Sequence, residues 1–373
     1  MAKLMTEFLQ IEELDTANGK AIGVARLNSE KSLNALSEAM IDALGPQLAA
    51  WDADPRIAMV VLEGAGDKAF CAGGDVVALY NAMNGSDDGG KAVEGFFVKE
   101  YRLDYQIHCL KKPVLVWGHG IIMGGGLGLM SGASHRVVTQ TARIAMPEIT
   151  IGLYPDVGGS YFLSRMPGKS GLFLGLTGAN INAADALYVD LADHFIPAED
   201  KGRLFDALCH VNWGETLSLN HEKLTQALKT LEMPARAKLP RGQVKAHQDT
   251  IDRLCKGGDL AAIVQAITGL ETDDPWLTRA RDTLRNGSPL SAAVVFEQLK
   301  RGKDMSLAEV FRMEAGLSWR CGEFGEFLEG VRALLVDKDK APCWRFGSVA
   351  EVDPKVLARF FESPWGQHPL ADI

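Results

Sequence analysis

Nowhere in its 373 residues does the chain set two cysteines at Cys-x-x-Cys spacing or two histidines at His-x3-His spacing. The six cysteines, at 71, 109, 209, 255, 321 and 343, lie far apart. That scatter suits reduced thiols better than a disulfide frame or a zinc site, and no structural metal is expected. No apolar run approaches the roughly 18 residues that a membrane-spanning helix needs. A net charge of −9 argues against a general nucleic-acid or anionic-membrane surface, though not against a local basic patch for a phosphorylated ligand. The opening residues from Met1 to Phe8 hold no sustained hydrophobic stretch, and acids follow at Glu12, Glu13 and Asp15. They read as neither a signal peptide nor an Arg-rich transit peptide, so the expected location is the cytoplasm. Three catalytic signatures are also missing. There is no Gly-x-Ser-x-Gly elbow, and the glycine runs do not register as Gly-x-Gly-x-x-Gly. Arg165 to Ser170 imitates the end of a P-loop, but Leu163 stands where its first glycine belongs.

What is present is an ordinary globular composition, 47% hydrophobic, with glycines at telling places. The length allows one large domain with an elaborate tail, or two domains. Lys20 to Leu27 reads as a strand, and Ser37 as the N-cap of a helix whose apolar face runs to Trp51. Pro46 lies inside that face, which predicts a kink or two helical pieces. Ile57 to Leu62 is a nearly continuous apolar run, as in a strand covered on both faces. It is followed by the Gly-rich loop ending Gly73-Gly74-Asp75 and then a helical pattern. The same succession recurs around Pro113 to Gly132. Two such units predict an α/β fold of repeated ββα units with helices packed on parallel sheet. Asn84 to Gly90 reads as a flexible surface loop, followed by a helix from about Val93 to Leu110. Past Asp185 the periodicity becomes helical. A boundary is expected near residue 200, with a core over 1–200 and a mostly helical region over 201–373.

The stretch His119 to Met130 carries the clearest chemical signal. A strand that breaks at Gly124-Gly125-Gly126 and restarts as a helix leaves backbone N–H groups without intrahelical partners. These are donors for half of an oxyanion hole, or else the turn is a helix packed tightly on a sheet. Gly73-Gly74 is a second, independent source of donors. Glu148 follows a proline at a strand exit, where a partly desolvated carboxylate serves as base or nucleophile; a solvated surface acid is the alternative. Asp156, just before another Gly-Gly, reads equally as a ligand or as the N-cap of the helix through Ser160. These residues describe an α/β enzyme that stabilises an oxyanion.

Three stretches in order, Ser32 to Leu36, Lys68 to Asp75 and His119 to Gly126, resemble the crotonase (enoyl-CoA hydratase/isomerase) superfamily. Within it, Ala145 to Glu148, Ile151 to Gly159, and Phe327 to Trp344 are similar to a thioester-hydrolase subgroup. The resemblance implies a crotonase-like spiral and hydrolysis of a short-chain 3-hydroxyacyl-CoA, with 3-hydroxyisobutyryl-CoA as the expected substrate, in valine breakdown. It implies a thioester carbonyl held by the N–H groups of Gly74 and Gly125, with Glu148 as the catalytic carboxylate. Asp156 would bind the 3-hydroxyl or assist proton transfer, Glu100 would lie against the acyl end, and Lys31 would meet a CoA phosphate. No cofactor is implied beyond the coenzyme A of the substrate, no metal, no nucleic acid and no membrane; relatives are often trimers, so a homo-oligomer is possible. Hydratases of the superfamily carry a second glutamate two residues past the glycine triplet, where this chain has Gly128. That departure favours hydrolysis. The alternatives are an enoyl-CoA hydratase or isomerase acting on another acyl-CoA, and a non-catalytic acyl-CoA binding protein.

Overall fold

The structure, a computed structural model, describes residues 3–5 and 7–373. Among the described residues, ten strands form two sheets: β1 (Lys3–Met5), β2 (Leu9–Asp15), β3 (Ala21–Leu27), β4 (Ile57–Gly64), β5 (Ala69–Cys71), β6 (Val114–Gly118), β7 (Ile121–Met123), β8 (His135–Val138), β9 (Arg143–Ala145) and β10 (His194–Phe195). The larger sheet has the order β1-β2-β3-β4-β6-β8-β10, and the smaller one β5-β7-β9. β1, β2 and β3 pair antiparallel; from β3 onward the larger sheet is parallel. Every residue of β4 and β6 is buried, as a parallel strand covered on both faces requires.

The repeat foreseen twice occurs three times. In the pairs β4–β5, β6–β7 and β8–β9, the first strand enters the large sheet and the second enters the small one. A helix start then follows each pair: Val76–Asn84, Gly125–Ser131, and the 3-10 turn Glu148–Ile151. The third repeat is harder to recognise in the sequence because its helix is a single 3-10 turn.

The chain forms two compact units, each assembled from three stretches. The first holds Met1–Gly74, Leu103–Ile144 and Ile181–Gly242; the second holds Asp75–Arg102, Ala145–Asn180 and Gln243–Ile373. Among the described residues no strand follows Phe195, in keeping with the helical reading of that region. Its helices are nevertheless shared out. Residues 201–242 belong to the first unit, where Leu204, Leu208, Leu224, Leu228 and Leu231 bury against Ile22, Val24, Met59, Leu115 and Trp117 of the large sheet. An apolar sheet face needs a cover, and the helices Lys201–His210 and Leu217–Ala235 supply it.

In the first unit the helix Glu38–Ala53 starts at Ser37, whose Oγ accepts from the Met40 N–H at 3.2 Å. It runs through Pro46 as one element rather than two. In the second unit a helix begins at Gly89, where a flexible loop had been expected. Its glycines serve contact, not mobility. A Cβ on Gly89 would lie 2.3 Å from the Gly322 carbonyl oxygen, so the pair lets two helix backbones touch. Aromatic rings fill the space beside them: Phe97 lies 5.7 Å from Tyr101 and 6.1 Å from Phe327, and Tyr101 lies 6.0 Å from Phe311.

A close backbone approach beside the small sheet is also set by glycine. A Cβ on Gly126 would stand 2.2 Å from the Cys71 carbonyl oxygen, which belongs to β5 and cannot swing aside. Gly126→Ala is therefore expected to destabilise the protein by about 1–3 kcal/mol. Urea denaturation would show a lowered midpoint at constant slope; an unchanged midpoint would refute the close packing.

Candidate active site

In the first unit, β5 and β7 run parallel, with Ala69 opposite Ile121 and Cys71 opposite Ile122. The turns that follow them consequently emerge side by side. A Cβ on Gly73 would meet the Met123 carbonyl oxygen at 3.4 Å and the Gly124 Cα at 3.9 Å. Gly73 has φ +111° and Gly124 φ +46° with ψ −123°, both unfavourable to any residue with a side chain. Gly125 opens its helix, so its N–H has no intrahelical acceptor. Gly74 precedes Asp75, whose carboxylate caps the next helix by accepting from the Ala78 N–H. Among the described residues, neither the Gly74 nor the Gly125 N–H is spent in a loop or turn backbone hydrogen bond.

The stretch Ser32 to Leu36 holds these turns in place. The Leu36 N–H donates to the Gly73 carbonyl at 2.8 Å. Buried Asn34 accepts from the Ser29 N–H and donates to the carbonyls of Ala65 and Ala69, each at 2.9 Å. Lys31 sits exposed on the 3-10 turn Glu30–Ser32.

The carboxylates belong to the second unit, which brings together Glu100, Glu148 and Asp156, all buried. Burial pushes the Glu148 carboxyl well above its usual range, and the negative charge of Asp156 pushes it further. The same two causes, in the same order, raise Glu100. Asp156 is pushed up to about 6 by burial, held back by a hydrogen bond from Tyr101. Glu100 Oε1 and Glu148 Oε2 are buried with no hydrogen-bond partner among the described residues. Buried carboxyl oxygens are normally satisfied, and unsatisfied ones concentrate where a substrate supplies the partner.

Asp156 does not cap the helix through Ser160. Its Oδ2 accepts from the Tyr101 hydroxyl at 2.6 Å. The cap comes instead from Glu314, whose carboxylate accepts from the Gly158 N–H at 2.7 Å and the Ser160 N–H at 2.8 Å. Ser318, one helical turn beyond Glu314, lies between the hydroxyls of Tyr101 and Tyr154 at 2.6 and 2.7 Å. Sequence reading missed Tyr101, Glu314 and Ser318. Tyr101 had one signal, its place next to Glu100; the other two sit on a distant helix and had none. A separate cavity of about 560 Å³ in this unit, lined by Thr150, Asn180, Trp276, Arg279, Leu334 and Lys340 among others, contains none of the three carboxylates.

A model of the family described as Enoyl-CoA hydratase/isomerase matches residues 22–361. The chain is 37% identical over 349 residues to a protein of Gallus gallus named 3-hydroxyisobutyryl-CoA hydrolase, mitochondrial, covering 93% of this chain and 88% of that one. Its structure is similar to that of an enoyl-CoA hydratase from Rhodobacter sphaeroides, with TM-score 0.80 and 33% identity over 95% of this chain and 97% of the other. It is similar also to a carnitinyl-CoA dehydratase from Mycobacterium thermoresistibile, with TM-score 0.83 and 32% identity over 96% and 98%.

The buried acids make stability depend on pH. Burial lifts Asp156 to about 6 and Glu314 to about 8, both above the value of an unfolded carboxyl. The unfolded chain releases these protons at lower pH than the folded one. Their contribution is full below about pH 4 and is lost as pH rises through 6 and then 8. Thermal denaturation is expected to show a melting temperature that falls between pH 5 and 8. In Asp156→Asn the fall below about pH 6 should flatten; an identical profile would remove Asp156 as its source.

Proposed function

Since the chain belongs to the enoyl-CoA hydratase/isomerase family, we propose that it hydrolyses a short-chain 3-hydroxyacyl-CoA, 3-hydroxyisobutyryl-CoA before others, to the free acid and CoA. The observation that carries this reading is Gly128. It lies buried in the helix Gly125–Ser131, where hydratases of the superfamily hold a second glutamate. Syn addition of water across a double bond needs two acid/base groups, whereas thioester cleavage needs one carboxylate and an oxyanion hole.

In this reading the N–H groups of Gly74 and Gly125 hydrogen-bond the thioester oxygen as it becomes an oxyanion; losing one such donor costs about 3 kcal/mol of barrier. Glu148 acts by one of two routes. As a general base it takes a proton from water while the water oxygen attacks the carbonyl carbon. As a nucleophile its carboxylate attacks the carbonyl to form a mixed anhydride, which water then opens. In both routes the carbon–sulfur bond breaks, and the CoA thiolate leaves and is protonated. Desolvation makes the Glu148 carboxylate more basic than a solvated one, which suits either role. Asp156 meets the substrate's 3-hydroxyl or handles a proton, Glu100 borders the acyl group, and Lys31 pairs with a CoA phosphate. No cofactor or metal enters. A place in valine breakdown follows from the substrate. The six free thiols suit a reducing compartment, either the cytoplasm or the mitochondrial matrix. No helix among the described residues is long and apolar enough to cross a membrane. A homo-oligomer fits the family resemblance.

The test is release of free CoA thiol from 3-hydroxyisobutyryl-CoA by the parent protein and by Glu148→Gln. Rapid release is expected, reduced on the order of 10²–10⁴-fold in the variant. An intact thioester, together with loss of enoyl absorbance when crotonyl-CoA is supplied, would overturn hydrolysis and favour hydration.

A further inference from the structure

Asp156 heads a line of hydroxyl groups that thioester hydrolysis alone does not call for. In order, the contacts run from Asp156 Oδ2 to Tyr101 Oη at 2.6 Å, to Ser318 Oγ at 2.6 Å, to Tyr154 Oη at 2.7 Å, and to the Glu314 carbonyl oxygen at 2.6 Å. All three hydroxyl residues are buried. The far end is a carbonyl and can only accept.

Counting protons makes the line informative. Three hydroxyls bring three protons to four contacts. With Asp156 ionised, both ends of the line accept, and one contact is left as two oxygens without a hydrogen between them. With Asp156 protonated there are four protons for four contacts. All then point one way, from Asp156 through Tyr101, Ser318 and Tyr154 to the Glu314 carbonyl. The line thus has a place for one more proton, and a flip of hydroxyls accommodates its arrival or departure.

We propose that Tyr101 and Ser318 are positioning residues that hold Asp156 by one carboxyl oxygen and let it take up and give back a single proton beside the acyl group. The inference rests on the reading of Asp156 as part of the thioester site. Glu314 supports the same arrangement from the other side. Its carboxylate binds the Gly158 and Ser160 N–H groups, and so fixes the turn that leaves Asp156. Glu314 and Ser318 lie four residues apart on the helix Leu307–Phe324, so one helical face serves both ends of the turn. The titratable groups facing Asp156 are Glu100 and Tyr101 from the helix that begins at Gly89, Glu148 and Tyr154 from the stretch before it, and Glu314 and Cys321 from the helix Leu307–Phe324.

The two positioning residues have opposite effects on Asp156. Tyr101→Phe deletes the donor that the ionised carboxylate uses, so Asp156 should titrate at higher pH. Ser318→Ala leaves the Tyr101 hydroxyl with Asp156 as its acceptor. A protonated Asp156 would then strand that hydroxyl, so titration should move to lower pH. A side chain that merely filled space would produce neither pattern.

The experiment follows the carboxyl ¹³C resonance of Asp156 in protein labelled at aspartate, assigned by its disappearance in Asp156→Asn, without substrate. Shifts of opposite sign, each on the order of one pH unit, are expected for Tyr101→Phe and Ser318→Ala. Unmoved titrations, or shifts in the same direction, overturn the proposal. If Tyr101→Phe does not fold, Ser318→Ala decides alone: a downward shift supports the line, and an unmoved or upward one removes it. The acidic limb of kcat/KM for CoA release should follow each shift. Because the resonance is read without turnover, a protein that failed to hydrolyse the thioester would overturn the functional reading while leaving this titration to be judged separately.

Discussion

Keeping three carboxyl groups out of water in one neighbourhood is costly, and much of the second unit is arranged around it. An unpaired buried carboxylate is strongly disfavoured, and neighbouring negative charges make matters worse. The structure answers by sharing protons and by placing donors. Tyr101 gives a hydrogen bond to Asp156, and burial leaves Glu100 and Glu148 tending to retain their protons. Glu314 turns the same problem to structural use, because its two bonds to backbone N–H groups hold the Asp156 turn to a helix far along the chain. The result is a set of acids all raised above the ordinary carboxyl range, with Asp156 at about 6, which suits acid–base chemistry near neutral pH.

The first unit meets a different constraint. Two strands of a three-stranded sheet must end together, and their following backbones must turn with N–H groups left unspent. Positive φ at Gly73 and Gly124 makes those turns. The absence of a side chain at Gly126 lets the helix behind them sit directly on β5. Asn34 ties the loop before Leu36 to the carbonyls of Ala65 and Ala69, upstream of the Gly73 turn, through hydrogen bonds wholly or partly shielded from water.

Fold alone leaves the chemistry open. The two similar solved structures bear different names, a hydratase and a dehydratase, and superimpose on this chain about equally well. The choice falls to single positions. Gly128 offers no acid/base group in the glycine-rich helix of the first unit, and the buried carboxyl cluster belongs to the second. The hydrolase name of the Gallus gallus relative agrees with that reading of the residues.

Short-range features were legible in the order of the residues. The Ser37 cap, the buried run of β4, and the strand–glycine–helix turns at 73–75 and 124–126 all follow from periodicity and from conformations only glycine adopts. Glu148 and Asp156 were visible as acids at punctuated loops. Their environment was not. Tyr101 meets Ser318 across 217 positions of chain, and Glu314 reaches Gly158 across 156. Such partners share no period and no turn signal, so only the packed chain pairs them. The glycines at 89 and 322 show the same division. Gly89 reads as part of a loop by its neighbours alone, and only the contact between two helix backbones accounts for a glycine at both places. The sequence determined where the backbone turns and which face is apolar, because those depend on neighbours within a few residues. Tertiary structure decided which acids share a dry site and what holds each of them, because desolvation and hydrogen bonding depend on everything that folding brings near.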